Sequence, residues 1–525
     1  MTKATPSLPK DSASPGTIVQ HFFESCGRFP EKALFLRGAL PDITYREAQE
    51  LTQRLASTLI SLGVKKGDRV AVQTDKSPEA ICLYLACAQV GAVYLPLNTA
   101  YTATEVSYFL QDAEPALFVC PPEDVGVVYP GVPGPLTVES LNGTGGGSIM
   151  ALADAHTPTE ECVNVAPDDL AAILYTSGTT GRSKGAMLTH ENLMSNCLAL
   201  LEAWQFTDQD HLIHALPIFH THGLFVACNI VLTCGASMDF LTRFEAGEII
   251  SLCSRATVLM GVPTFYTRML GSQNLTREAV TGIRLFVSGS APLLTETHNQ
   301  FHARTGHAVL ERYGMTETCM ITSNPYEGDR RPGTVGLPLP GIQVRIVGQE
   351  GAEPLKAGDT GAIQVKGPNV FKGYWRMPEK TAAEFTKDGF FITGDLGCVD
   401  TRGYLKIVGR DKDLIVSGGY NIYPKEIELL IDDLPGVLES AVIGLPMADL
   451  GEAVAAVVVP DASAELSPAR VLSEIEKGLA RYKQPRKIIL VDELPRNVTG
   501  KVQKNLLRET YATEFETKNS EEPAS

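Results

Sequence analysis

Short apolar runs alternate with longer amphipathic or wholly apolar stretches along most of the chain, a pattern that predicts strands each followed by a helix. Residues 69–73 read as a strand, 78–91 as a helix and 93–96 as the next strand. The same succession returns at 256–262, 263–271 and 284–288. From about residue 17 to residue 400 this predicts α/β layers, sheets covered by helices. Near residue 403 the spacing tightens. Strands at 404–408 and 414–416, a helix at 424–434, strands at 437–444 and 453–459, a helix at 468–482 and a strand at 488–491 predict a compact α+β unit. The expected fold is a large multi-sheet α/β N-terminal domain, residues 16–411, and a small mobile α+β C-terminal domain, residues 412–511, with the break at Lys412. Residues 1–15, rich in Ser and Pro, and the acidic residues 512–525 are expected to be disordered tails.

Length and composition agree with this division. A chain of 525 residues exceeds one ordinary core, and 44% hydrophobic with 20% charged residues is the balance of a globular enzyme. The net charge of −16 argues against nucleic-acid and anionic-membrane partners, which favour basic surfaces. The eleven cysteines form no CxxC pair and are scattered, several of them in apolar runs, as expected of reduced thiols. No apolar run is long enough to span a bilayer and no secretory pattern is apparent. The expected compartment is the cytoplasm, with the mitochondrial matrix as the alternative.

The chemistry is concentrated in a few segments. An apolar run at 170–175 feeds a loop of Thr176, Ser177, Gly178, Thr179, Thr180, Gly181, Arg182, Ser183 and Lys184, and a helix is expected from about Thr189, a good N-cap residue. Such a loop offers backbone N–H groups, hydroxyls and one cation to a polyphosphate. It is not a Walker loop, because Lys184 lies between Ser183 and Gly185 rather than after a glycine and before Ser or Thr. Five further segments follow in order: 288–292, 311–317, 393–396, the pair 409–413 with 418–421, and 495–501.

Taken together and in this order, these segments strongly resemble the adenylate-forming superfamily of acyl-CoA synthetases, peptide-synthetase adenylation domains and luciferases. The resemblance runs from about Thr17 to Glu509. It implies that ATP activates a carboxylate as an acyl-adenylate, which the CoA thiol then attacks with release of AMP. It implies that residues 176–184 embrace the β- and γ-phosphates, and that Glu317 helps hold Mg²⁺. Gly289, Ser290, Ala291 and Tyr313, with the neighbouring Glu311, Gly314, Met315 and Thr316, belong by resemblance to the ATP site and frame the adenine. Asp395 accepts the ribose hydroxyls with help from Arg410, and Lys501 bridges the attacking carboxylate and the α-phosphate. Gly418, Gly419 and Tyr420 serve CoA, and rotation about Lys412 presents first Lys501 and then the glycines. The loop departs from the commoner family pattern, Arg182 and Ser183 standing where a proline usually precedes the lysine.

Two features bear on which acid is activated. In the run Phe219, His220, Thr221, His222, an HxH pair suggests metal, but no third ligand stands at suitable spacing. The resemblance instead places His220 at a gate between acyl pocket and thiol tunnel. Arg268 and Arg312 lie in segments that line the pocket by resemblance, where arginine suits a second carboxylate through bidentate hydrogen bonds; solvation of Arg268 and pairing of Arg312 with Glu311 are the alternative. Residues 212–226, 260–269, 311–318 and 367–375 look specifically like malonyl-CoA synthetases, in which residues at the positions of Arg268, Arg312 and Ser290 hold the distal carboxylate. The expected reaction is therefore AMP-forming ligation of malonate, with methylmalonate as a further acid, to CoA. Another acyl- or aryl-CoA synthetase and a stand-alone adenylation module are the alternatives. Oligomeric state stays open.

Overall fold

The computed structural model describes residues 15–132, 136–176, 183–348, 353–417, 420–447, 450–461, 466–476, 478–496 and 501–515. The chain forms two compact units, the first of residues 1–293, 297–344 and 365–391, the second of 294–296, 345–364 and 392–525. No described helix is long and apolar enough to cross a membrane.

Two sheets build the first unit. The larger has nine strands in the order Leu337–Pro338, Cys319–Ser323, Leu310–Met315, Leu285–Ser288, Val258–Gly261, His211–His214, Ser237–Phe240, Ala33–Leu36 and Ile43–Thr44. Its middle strands, from Leu310–Met315 to Ala33–Leu36, run parallel, and their β-branched and apolar residues are buried on both faces. The smaller has seven, in the order Gly373–Tyr374, Lys184–Thr189, Leu170–Thr176, Val93–Pro96, Arg69–Val72, Leu117–Cys120 and Thr137–Ser140. The helix Pro78–Val90 starts at its N-cap Ser77 and ends at Gly91 in the left-handed conformation, and every one of its residues is buried. A helix apolar all round must be enclosed. Tyr84 shows by what: its ring lies 5.2 Å from Tyr94 of the seven-stranded sheet and 5.9 Å from Phe225, in the segment that follows His211–His214.

The elements expected at 69–73, 78–91, 93–96, 263–271 and 284–288 appear within a residue or two. The helix expected from about Thr189 is present, but a strand that was not expected precedes it. The strand Lys184–Thr189 intervenes and pairs antiparallel with Leu170–Thr176, and only then does Thr189 cap the helix His190–Ala203.

The second unit holds most of a four-stranded sheet, Gln343–Val347, Gly361–Lys366, Phe391–Val399 and Leu405–Arg410, and a five-stranded one. The latter orders Tyr420–Ile422, Ile415–Ser417, Gly451–Pro460 and Val437–Met447, with Lys487–Leu490 also paired to Gly451–Pro460. Alternation sorts its side chains. Val442, Val454, Ala456 and Val458 pack with Ile427, Ile431, Val471 and Ile475 of the helices Pro424–Asp432 and Pro468–Ile475. Ala441, Ile443, Ala455 and Val457 pack on the other face with Leu494 and with Leu507 of the helix Lys504–Thr510. Residues 511–515 continue in turns, Lys487 pairs with Glu514 at 2.6 Å, and Phe515 packs on this second cluster. The ordered chain thus runs a few residues into the stretch expected to be a tail. Residues 1–14 and 516–525 lie outside the described residues. The helix expected over 468–482 is shorter and gives way to a 3₁₀ turn at Arg481–Lys483.

Candidate active site

In the first unit the strand pair Thr176↔Lys184 closes the loop expected to take phosphate. Ser177, Gly178, Thr179, Thr180, Gly181 and Arg182 lie outside the described residues. At the loop's base the Tyr108 hydroxyl donates to Ser183 O at 2.8 Å, and Thr176 Oγ1 donates to Lys184 O at 3.4 Å. Lys184 is largely buried. Its ammonium sits 3.5 Å from Glu384 Oε1 and 4.5 Å from the centre of the Tyr374 ring. The Tyr374 hydroxyl lies 2.8 Å from Glu384 Oε2 and 3.0 Å from Glu317 Oε1. Burial, then the Glu317 carboxylate, pushes that phenol well above its usual range, so it stays a neutral donor. One lysine, one phenol and two carboxylates therefore meet where the strand Gly373–Tyr374 pairs with Lys184–Thr189. Hard carboxylate oxygens next to a phosphate loop are the donor type that Mg²⁺ takes. Among the described residues no group of three or more His, Cys, Asp or Glu could hold a metal by itself, and a Mg²⁺ bound here would share its coordination with phosphate.

The strand Leu285–Ser288 ends beside the start of Leu310–Met315, Ser288 opposite Glu311, and the two carry the next group of residues. Ser290, just past the first, has φ +70°, a left-handed conformation costly for a residue with a Cβ. Its hydroxyl lies 3.3 Å from His222 Nδ1. Gly289 leaves room for the guanidinium: a Cβ there would stand 2.2 Å from Arg312 Cζ and force that side chain to shift. Ala291 is half-buried beside them. The Arg312 guanidinium is buried at 4% exposure, and its Nε and Nη2 have no hydrogen-bond partner among the described residues. Burial draws its pKa down to about 9. It forms no ion pair with Glu311, since neighbours on a strand point to opposite faces. Glu311 is itself buried, and burial raises its pKa to about 8 against the opposing backbone N–H of Gly333 and Leu293. Tyr313, Gly314, Met315 and Thr316 continue the strand into a hairpin, half-buried, with an irregularity at Tyr313/Gly314. A Cβ on Gly314 would meet Cys319 O at 2.0 Å.

His220 and His222 separate clearly. The ring of His220 is half-buried and accepts from the His222 backbone N–H at 3.3 Å. His222 is the deeper one, 2% exposed, its Nε2 without a partner among the described residues. Burial first, then the nearby Arg312 cation, holds it neutral, its pKa well below the usual range. The sequence reading chose His220; the structure brings His222 to Ser290 and Arg312. The HxH spacing carried both residues but not their depth. Arg268 is not brought to this group. It is exposed on the helix Pro263–Leu270, whose buried face is Phe265, Tyr266 and Met269, and makes no hydrogen bond or ion pair among the described residues. Tyr374 and Glu384 were also missed, and nothing in the spacing of Glu384 singled it out.

In the second unit Asp395 and Arg410 face each other directly across the strands Phe391–Val399 and Leu405–Arg410, with Arg410 Nε 2.9 Å from Asp395 Oδ1. Asp395 is buried at 4% exposure, and its N–H donates to Thr393 Oγ1 at 3.1 Å. Lys412 stands in the 3₁₀ turn Asp411–Asp413, the connection from the four-stranded sheet to Ile415–Ser417 of the five-stranded one. Gly418 and Gly419 lie outside the described residues. Tyr420, beside them, is exposed and stacks on Tyr482 with ring centres 4.6 Å apart. Lys501 is exposed, next to the bridge that pairs Arg496 with Val502.

Comparison with known proteins assigns this arrangement to a family. Residues 22–375 match the family model of the AMP-binding enzymes, and residues 426–501 match that of the AMP-binding enzyme C-terminal domain. The chain is 35% identical over 489 residues to a malonate–CoA ligase of Arabidopsis thaliana, across 85% of this chain and 79% of that one. It is equally 35% identical, over 473 residues, to a feruloyl-CoA synthase of an Amycolatopsis species, across 89% and 94%. The crystal structure of ATP-bound MatB from Rhodopseudomonas palustris shares 55% identity with it, covering 95% of this chain and 99% of that chain, with a TM-score of 0.91.

Proposed function

We propose that this chain, which belongs to the AMP-binding enzyme family and is an AMP-forming acyl-CoA ligase, takes malonate as its acid. The single observation that carries the substrate is Arg312. A buried guanidinium with two unpartnered nitrogens is costly to the fold, and a dicarboxylate offers it a partner that a monocarboxylate cannot. One carboxylate of malonate is consumed in attack on ATP; the other remains for Arg312, with Ser290 and neutral His222 as hydrogen-bonding neighbours. Likeness to a malonate–CoA ligase supports the reading, while equal likeness to a feruloyl-CoA synthase means the pocket, not the family, decides.

Attack of carboxylate on the α-phosphate brings two anions together, so cations and dipoles must be held ready for the charge that develops. Lys184 and the loop 176–183 are assigned to the β- and γ-phosphates, the segments 289–291 and 311–316 to adenine, and Asp395 with Arg410 to the ribose. Glu317 would hold Mg²⁺, which when bound neutralises phosphate charge. The Tyr374 hydroxyl fixes the Glu317 and Glu384 carboxylates, and Glu384 keeps Lys184 in place. His220 is assigned to the border of the acyl pocket, and Arg268, exposed on its helix, is given no part in holding the acid. Lys501 is assigned to the reacting carboxylate and α-phosphate, and Gly418, Gly419 and Tyr420 to CoA.

The substrate test is an acid panel. Malonate, with methylmalonate slower, is expected to drive ATP-dependent thioester formation, while acetate, octanoate and ferulate give none. A site built to pair a substrate group rejects analogues lacking it, because its own group is then left unpaired. Equal rates with acetate and malonate would remove Arg312 as the determinant.

Lys412 is assigned as the hinge about which the C-terminal part turns between the half-reactions. Lys412→Pro, which fixes φ near −65° and removes a donor, is expected to depress one half-reaction far more than the other. Pyrophosphate exchange and thioester formation from preformed malonyl-AMP, assayed separately, read this directly; unchanged rates in both would place the hinge elsewhere.

A further inference from the structure

Lys501 is exposed, yet its proposed task demands placement to a fraction of an ångström. Within the second unit, the chain beyond it is tied down in three ways. Gln503 N donates to Pro495 O at 2.8 Å and Arg496 bridges to Val502, so both ends of the 496–502 loop are pinned together. One residue further on begins the helix Lys504–Thr510, whose Leu507 is buried in the cluster on one face of the five-stranded sheet. The third tie is electrostatic. Lys504 Nζ lies 2.5 Å from Glu428 Oε1, and Glu428 is buried at 5% exposure on the helix Pro424–Asp432. The other Glu428 partners are Lys425 at 3.5 Å and the Val442 N–H at 3.0 Å. In the last turn, Arg508 Nη2 reaches Asp413 Oδ1 at 2.7 Å. Asp413 belongs to the 3₁₀ turn Asp411–Asp413 that contains Lys412 and follows Arg410.

Seven residues of helix thus connect three things that no sequence pattern joins: the loop that carries Lys501, the buried carboxylate of Glu428 and the turn at Lys412. A buried carboxylate is costly, and an apolar residue would pack there as well or better. What the ionic pair adds over apolar packing is a fixed angular position for the helix, because a charge-assisted hydrogen bond is directional and contact with Leu507 is not. Glu428 feels burial first, which raises its pKa, but Lys504 and Lys425 outweigh it and hold the carboxylate ionised.

We propose that Lys504 with Glu428 and Arg508 with Asp413 are positioning pairs that set the helix Lys504–Thr510 as a strut between the turn at Lys412 and the loop of Lys501, so that movement of the turn places the Lys501 ammonium. The proposal rests on the role assigned to Lys501 and is independent of which acid is activated. It requires these four residues to matter for adenylation and to be dispensable for thioester formation, in which Lys501 has no part.

The test uses the full chain with paired assays, acid-dependent pyrophosphate exchange and thioester formation from preformed acyl-adenylate. Lys504→Met and Arg508→Met are expected to lower exchange by about 10- to 100-fold, the scale of a small misplacement of a reacting group, with thioester formation unchanged. Arg508→Lys, which keeps the charge, should recover most of the loss. Because Lys504→Met leaves Glu428 with a single lysine, the double variant Glu428→Gln/Lys504→Met guards against misfolding: it buries no orphaned charge, should melt within a few degrees of the parent, and should still lose exchange selectively. Equal losses in both assays, or no loss in either, would overturn the strut, as would Lys501→Ala sparing exchange. If malonate supports no exchange in the parent enzyme but another acid does, the substrate reading falls, and the same assays run with that acid still decide the strut.

Discussion

Lys501→Ala is expected to lose about 10²–10³ in malonate-dependent pyrophosphate exchange, the usual loss when one preorganised transition-state contact is removed. The same variant, given preformed malonyl-AMP, should make malonyl-CoA at the parent rate. The reason is chemical: in the role proposed for it, the ammonium is needed only while carboxylate and α-phosphate approach, two anions whose repulsion it screens. In the thioester step the attacking group is a thiol and the leaving group AMP, and no such encounter occurs. On the CoA role proposed for Gly419, Gly419→Leu should show the converse, a side chain there obstructing the thiol and letting malonyl-AMP form and remain. Exposure of Lys501 and the ordered packing of Leu507 behind it make a folding defect in Lys501→Ala an inadequate explanation of any loss. A variant equally impaired in both steps would exclude the division of labour.

Arg312→Met should cost malonate about 2–5 kcal/mol in kcat/KM, the range for truncating one partner of a buried charge pair. The informative part is the sign of the stability change. A structural arginine paired within the fold would take stability with it when removed. Arg312 instead keeps two buried nitrogens without partners, so Met, similar in length and uncharged, should leave the melting temperature unchanged or raise it. Malonate should raise the melting temperature of the parent and not of the variant. A destabilised Arg312→Met with normal malonate kinetics would return the residue to a purely structural role. Gly289→Ala probes the same place from the other side: its Cβ would drive into the guanidinium, so malonate binding should weaken although no charge has changed.

Much of this was legible in the chain. Helix Pro78–Val90 carries its own start in Ser77 and Pro78 and its stop in Gly91, and local signals of that kind survive any tertiary context. Asp395 and Arg410 were readable from their segments, and the strand register supplies the pairing. What stayed hidden was depth and pairing across long sequence distances. His220 and His222 are indistinguishable by spacing, and only the packed structure buries one next to Arg312. Arg268 and Arg312 looked equivalent as cations; one ends in a strand interior and the other on the exposed face of a helix. The strand Lys184–Thr189 was missed because what makes it a strand is its antiparallel pairing with Leu170–Thr176, which its own short sequence does not announce. Glu384 reaches Lys184 from 200 residues away, beyond any local pattern.

The nine-stranded sheet also dictates an order of assembly. Its strand Ala33–Leu36 pairs with Ser237–Phe240, and the Ser237 hydroxyl donates to Ala33 O across 204 residues of chain. At about 5–20 residues per second, a ribosome needs about 10–40 s between making one partner and the other. During that interval the strands from Arg69–Val72 to Lys184–Thr189 have one another at hand, while Ala33–Leu36 has only the short strand Ile43–Thr44 to pair with. The first strand made thus waits for one of the later ones, a non-local closure of the kind that slows folding. Removing the first forty-odd residues would strip Ser237–Phe240 of one of its two neighbours and leave an open, apolar edge available to another molecule.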